Sequence, residues 1–154
     1  MFNQCVAIWF KKVNVDDFNS RAEKTAFDWL GMKFTEIGPD FVKGQMEVDH
    51  RTIQPRRILN GGISVVLAES LCSAAANFCI DPTRYVAIGL EINANHVRIA
   101  IEGKTVVGIA RPLHIGKTTQ VWETRLEAES KLVCICRMTI AVLDLESLKK
   151  KMSH

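Results

Sequence analysis

No uncharged run in this sequence is long enough to cross a bilayer. The two longest, residues 58–68 and 70–80, are divided by Glu69 and each falls short of the roughly 20 residues a span requires. The apolar N-terminal stretch MFNQCVAIWFKK has no basic region before it and no small-residue cleavage site after it, so it does not read as a signal peptide. The five cysteines (Cys5, Cys72, Cys79, Cys134 and Cys136) are odd in number and form no zinc-like pair of pairs. Four of them lie inside apolar runs, where a thiol behaves as a small hydrophobe, and a reduced, cytoplasmic setting is expected. His50, His96, His114 and His154 show no H-E-x-x-H spacing, and neither a dinucleotide-binding nor a P-loop glycine pattern occurs. Residues 61–65, GGISV, lack the arrangement of a G-x-S-x-G nucleophile elbow. No metal and no cofactor is therefore expected. Trp9, Trp29 and Trp122 are scattered, and a net charge of +3 is too small to argue for nucleic acid, although a basic rim would suit a phosphorylated small molecule.

What is present is an ordinary globular composition, 47% hydrophobic and 24% charged, with no internal repeat and no Pro/Gly-rich linker. One domain over residues 1–154 is expected, ending in a polar tail from about residue 144 in which Lys149, Lys150 and Lys151 are solvated. Residues 16–30 read as one amphipathic helix through Phe18, Ala22, Ala26 and Leu30. Two strands over 32–50 follow, joined by a turn at Gly38-Pro39-Asp40. Asn60 offers an N-cap, and an Ala- and Leu-rich apolar run to Ile80 predicts a long helix, stopped by Asp81-Pro82. From Arg84 to Leu143 the chain reads as four strands in an antiparallel meander, with a bulge around Asn93–Asn95 where the apolar phase slips. A helix apolar nearly all round needs cover on most sides. An α+β fold with an antiparallel sheet wrapped around that helix supplies it.

Between Arg57 and Asp81 the only charged residue is Glu69. A carboxylate there is either a chemical group, costly to bury unless hydrogen-bonded, paired or partly wet, or part of an exposed stripe with Ser73. At the helix start, the backbone N–H groups after Asn60 lack intrahelical partners and lie at the positive end of the helix dipole. Gly61 and Gly62 would let a ligand carbonyl approach closely, as an oxyanion hole requires, although an ordinary Asn-capped start has the same sequence. Eight positions separate Gly61 from Glu69, roughly 12 Å along a helix axis. Donor and carboxylate must both come within about 3 Å of one reacting group, so if both act, they come from two subunits. A catalytic homodimer follows on that condition.

The segments QPRRILNGGISVVLAESLCSAAANFC and VAIGLEINANHVR resemble the PaaI-like acyl-CoA thioesterases of the hot-dog superfamily, of the 4-hydroxybenzoyl-CoA and dihydroxynaphthoyl-CoA type. The resemblance runs from about Phe18 to Leu143 and implies the hot-dog fold and hydrolysis of an aromatic or medium-chain acyl-CoA. It implies that Glu69 is nucleophile or general base, that the Gly61 N–H is the oxyanion donor, and that Gln54 orients the carbonyl. It implies further that Ser73 positions water, that His96 and Arg98, on one strand face, lie near the nucleotide end of CoA, and that Gly62 and Gly89 contact substrate. A homodimer, and a dimer of dimers, is the expected assembly. The family usually carries histidine where this chain has Asn60, which can cap and donate but cannot titrate near neutral pH. Two other readings stay open: a proofreading thioesterase acting on an acyl carrier protein, and an acyl-CoA-binding module weakened in its chemistry.

Overall fold

The computed structural model describes residues 7–152; Cys5, His154 and the side chain of Lys151 lie outside the described residues. Helix α1 (Val15–Ala22) opens on a reciprocal capping box: Asp17 N–H donates to Asn14 Oδ1 and Asn14 N–H to the Asp17 carboxylate. The single helix expected over residues 16–30 is broken. Lys24 takes φ 60°, Thr25 Oγ1 donates to the Ala22 carbonyl at 2.6 Å, and a short α2 (Ala26–Trp29) follows. The reason is packing. Nine residues at about 100° each would set Phe18 and Phe27 on opposite faces of one straight helix. The break turns both inward onto Phe34, at ring-centroid distances of 5.1 and 4.6 Å.

Strands β1 (Lys33–Ile37) and β2 (Val42–Glu47) form the expected hairpin, with Gly38 N–H donating to the Phe41 carbonyl. Phe41 belongs to the turn, so β2 alternates cleanly, with Val42, Gly44 and Met46 inward. Helix α3 (Gly61–Phe78) is the long helix the sequence predicts, capped by Asn60, and Leu67, Ala68, Leu71, Cys72 and Ala75 are buried along it. It is long and apolar enough to cross a membrane by length and composition, yet it packs against five strands of the sheet. Gly44 and Gly108 are direct cross-strand partners, and a Cβ on either would stand 2.7 Å from a methyl of Leu71. The missing side chains let the helix settle close to the sheet.

The remaining strands are β3 (Tyr85–His96), β4 (Thr105–Ile115), β5 (Thr119–Ala128) and β6 (Lys131–Asp144). They do not form a simple meander. The order is β1-β2-β4-β5-β6-β3, antiparallel throughout, so β3 pairs with β6 and lies at an edge. Residues 97–104 carry the chain across to β4, pinned where Leu59 N–H donates to the Ala100 carbonyl and Ile58 bridges Ile101. The apolar slip that suggested a bulge at Asn93–Asn95 reflects the end of β3 at His96; the register shift itself falls between Gly89 and Glu91. The expected polar tail is helical over α4 (Leu145–Met152), whose first turn is capped by Asp144 accepting from Ser147 N–H. Cys72, Cys134 and Cys136 are core residues, and all four described cysteines are free thiols. Burial pushes the Cys72 thiol up to about 12, so it stays protonated at neutral pH.

Candidate active site

The start of α3 is held at several points. Asn60 N–H donates to the Thr52 carbonyl, and the Asn60 carbonyl accepts from both Ile63 N–H (3.1 Å) and Ser64 N–H (3.2 Å). Asn60 Oδ1 accepts from Gly62 N–H at 2.8 Å. Of the first four helical amides, only Gly61 N–H has no partner among the described residues. The Asn60–Gly61 peptide is trans, so a carbonyl drawn into the helix turns the Gly61 N–H outward from it. That is a fixed donor at the positive end of an 18-residue helix.

A cleft of about 190 Å³ opens there, lined by Gln54, Gly61, Ser64, His96 and Arg98 among others. Gln54 reaches it from a tight loop, bridged between Ile53 and Leu59, in which Gln54 N–H donates to the Ile58 carbonyl and Arg57 takes φ 60°. The base of the loop is a turn at Asp49–Thr52, where Arg51 binds both Asp49 oxygens and holds that carboxyl down to about 2. His96 and Arg98 share the cleft but not a strand, since β3 ends at His96 and Arg98 lies in the crossover, donating to the Leu132 carbonyl at 2.9 Å. Asn60 Nδ2, the Gln54 side-chain amide and His96 Nδ1 have no hydrogen-bond partner among the described residues.

The other predicted residues gather further along the helix. Glu69 is exposed rather than buried, facing the edge strand: a Cβ added at Gly89 would lie 3.6 Å from Glu69 Oε1 and collide with Met138 Cε. Gly89 thus leaves room for the carboxylate beside the strand. Ser73, one turn on, makes only a long contact of 3.9 Å to the Met138 sulfur, a weak acceptor. Ser70 and Ser73 also line a second cleft, of about 280 Å³, walled by Phe18, Phe27, Phe34 and Phe78. The Arg21 guanidinium stands over the Phe78 ring at 4.4 Å. The structure therefore brings Gln54, Gly61, His96 and Arg98 together at one end of α3, and Glu69, Ser73 and Gly89 together at its middle. Asn60 and Gly62 cap the helix. Ser64 and the aromatic cleft were not singled out by sequence reasoning. For Ser64 the signal was a polar break one turn after Gly61 in an otherwise apolar helix.

Residues 57–135, which hold the helix entrance, α3 and the edge strand, match the family model described as the thioesterase superfamily. The chain belongs to that superfamily. The 1,4-dihydroxy-2-naphthoyl-CoA hydrolase of Escherichia coli strain K12 is 43% identical over 137 residues, 88% of this chain and 99% of that protein. A thioesterase of Pseudomonas aeruginosa, solved as a glutamine-to-alanine variant, superposes with a TM-score of 0.87 at 40% identity, covering 90% of this chain and all of that one. The PaaI protein of Escherichia coli, at 20% identity and a TM-score of 0.74 over 83% of this chain and 91% of that one, shares the fold. The thioesterase superfamily member described here is thus a hot-dog protein and a thioester hydrolase, as its sequence resemblance implies.

Proposed function

We propose that this thioesterase hydrolyses an aromatic acyl-CoA to the free acid and CoA, at sites shared between two copies of the chain. The observation that carries the reading is the division of the chemistry along α3. An outward-pointing N–H at Gly61, without a partner among the described residues, stands at one end, and the only carboxylate of the helix, Glu69, lies exposed eight residues on beside a strand edge that no described residue pairs. In the proposed reaction the thioester oxygen accepts from Gly61 N–H, with the Gln54 amide as a second donor. Glu69 either takes a proton from the water that attacks the thioester carbon, or attacks that carbon itself to give a mixed anhydride that water then hydrolyses to the free acid and the Glu69 carboxylate. The C–S bond breaks as the tetrahedral intermediate collapses, and the departing thiolate takes up the proton that the consumed water gives up. Arg98 serves the phosphate end of CoA.

The pairing of copies is supported by the edge of β3. This strand of 12 residues has one side unpaired among the described residues, and it carries Ile88 and Leu90, which are 41% and 65% exposed. Long, apolar, unpaired edges are normally covered. Glu69 adjoins Gly89 on this strand and Gly61 adjoins His96 at its end, so antiparallel pairing of two β3 strands about a two-fold axis would set the Glu69 of one copy toward the Gly61 of the other. The aromatic preference is supported by the four-phenylalanine cleft that Ser73 shares, and by the naphthoyl-CoA substrate in the name of the Escherichia coli relative. The test is CoA thiol release from benzoyl-CoA and a panel of aliphatic acyl-CoAs, with Glu69→Ala as control. The reading predicts fast release by wild type, favouring aromatic acyl groups, and loss in the variant. Equally slow release by both across the panel defeats it.

A further inference from the structure

Ser64 and His96 form a contact that neither the expected chemistry nor the helix cap requires. Ser64 is fully buried, and its Oγ lies 2.6 Å from the Gly61 carbonyl oxygen and 2.7 Å from His96 Nε2. His96 Nε2 is also 3.2 Å from that same carbonyl oxygen. Only one arrangement of protons satisfies all three atoms. The carbonyl can only accept and serine has a single hydrogen, so Ser64 donates to Gly61 and His96 Nε2–H donates to Ser64 Oγ, with the carbonyl as a second acceptor. The ring also packs on the glycine itself, since a Cβ at Gly61 would stand 3.3 Å from His96 Cε1 and Nε2.

We propose that Ser64 and His96 are a positioning pair that holds the Gly61 donor in place for the reaction. Glycine has the freest backbone of any residue, and an oxyanion donor that swings loses its advantage. The peptide before Gly61 is held through the Asn60 carbonyl, and the peptide after it through Asn60 Oδ1 on Gly62 N–H. The Gly61 carbonyl, which also accepts within the helix from Val65 N–H, is gripped in addition by Ser64 and His96, and these tie it to the end of β3. His96 therefore acts through Gly61, with its Nε2 turned away from any nucleotide contact.

This rests on Gly61 being the oxyanion donor, so the test separates the two readings. Ring-nitrogen NMR of 15N-histidine-labelled protein, assigned with His96→Gln and recorded at a pH where the ring is neutral, should show His96 as the Nε2–H tautomer. Ser64→Ala should shift it. An Nδ1–H ring, or a signal that Ser64→Ala leaves unmoved, overturns the pair whatever the kinetics. In turnover of benzoyl-CoA, Ser64→Ala and His96→Asn should each lower kcat about tenfold, the scale of one hydrogen bond, with KM nearly unchanged. His96→Gln, whose terminal amide nitrogen reaches the place of Nε2, should recover most of the loss. In a Gly61→Pro background, which lacks the donor, Ser64→Ala should cost nothing further. A raised KM with unchanged kcat in His96→Asn, together with a silent Ser64→Ala, overturns the proposal and leaves the Gly61 reading standing. Full activity in Gly61→Pro overturns both.

Discussion

Replacing Gly61 by proline removes the backbone hydrogen of the proposed oxyanion site and disturbs little else. The position is the first of α3, where proline is tolerated because its missing N–H has no intrahelical partner. The preceding residue, Asn60, sits at φ −69° and ψ 128°, within the extended region that a following proline demands. The cost lies in the new Cβ, 3.3 Å from the exposed His96 ring, which must give by a few tenths of an ångström. Gly61→Ala makes the same Cβ contact and keeps the N–H, so the ratio of the two variants reports the loss of the donor together with the space taken by proline Cδ. Loss of one oxyanion donor is worth about 10²–10³ in kcat, or about 2.7–4 kcal/mol. Proline Cδ also occupies the space in front of the donor, which places the loss toward the upper end. The assay is CoA thiol release from benzoyl-CoA, beside thermal unfolding to show that both variants are folded. Folded Gly61→Pro with kcat within about threefold of Gly61→Ala would refute the assignment, because no barrier effect of that size can come from a donor that matters.

The shared site predicts complementation. Gly61→Pro and Glu69→Ala, each strongly impaired alone, should regain about one quarter of wild-type activity when mixed as subunits in equal amounts, because half the dimers are then mixed and each has one intact site of two. No recovery after verified exchange would place both groups in one copy. Asn60→His should not greatly reduce kcat/KM on an aromatic acyl-CoA. Histidine restores the usual family donor at a cost of about 1 kcal/mol in helix capping, visible in the unfolding midpoint, and a large loss of activity would show that this chain relies on asparagine. Asp49, held down to about 2 against an ordinary 3.8, stabilises the fold in its ionised form. That contribution is present above about pH 4 and is lost as the pH falls toward 2. The midpoint difference between wild type and Asp49→Asn should therefore shrink across that window, and a constant difference would argue against the Arg51 contact.

The long helix, its Asn60 cap and the β1–β2 hairpin were legible because each is written locally, in composition, capping chemistry and turn residues. The place of β3 was not. Its own pattern marks it as a strand, but its partner is decided by residues 97–104, whose contacts with Leu59 and Ile58 lie about forty positions away in the chain. The break at Lys24 was hidden for the same reason, since only the position of Phe34 shows why Phe18 and Phe27 must face the same way. Helix spacing supplied the axial separation of Gly61 and Glu69, but not their neighbours across the sheet. Those neighbours changed the meaning of the residues. His96, expected near a nucleotide, has Nε2 engaged with Ser64 and Gly61. Glu69, for which the sequence left both a buried group and an exposed stripe with Ser73 open, is exposed in the single chain beside Gly89 of β3. A carboxylate on an otherwise apolar helix stands beside Gly89 on a strand whose other side is unpaired among the described residues, and Ile88 and Leu90 are exposed on the opposite face of that strand. A merely solvated stripe would account for the carboxylate and leave the strand edge unexplained, whereas the proposed pairing of two copies accounts for both.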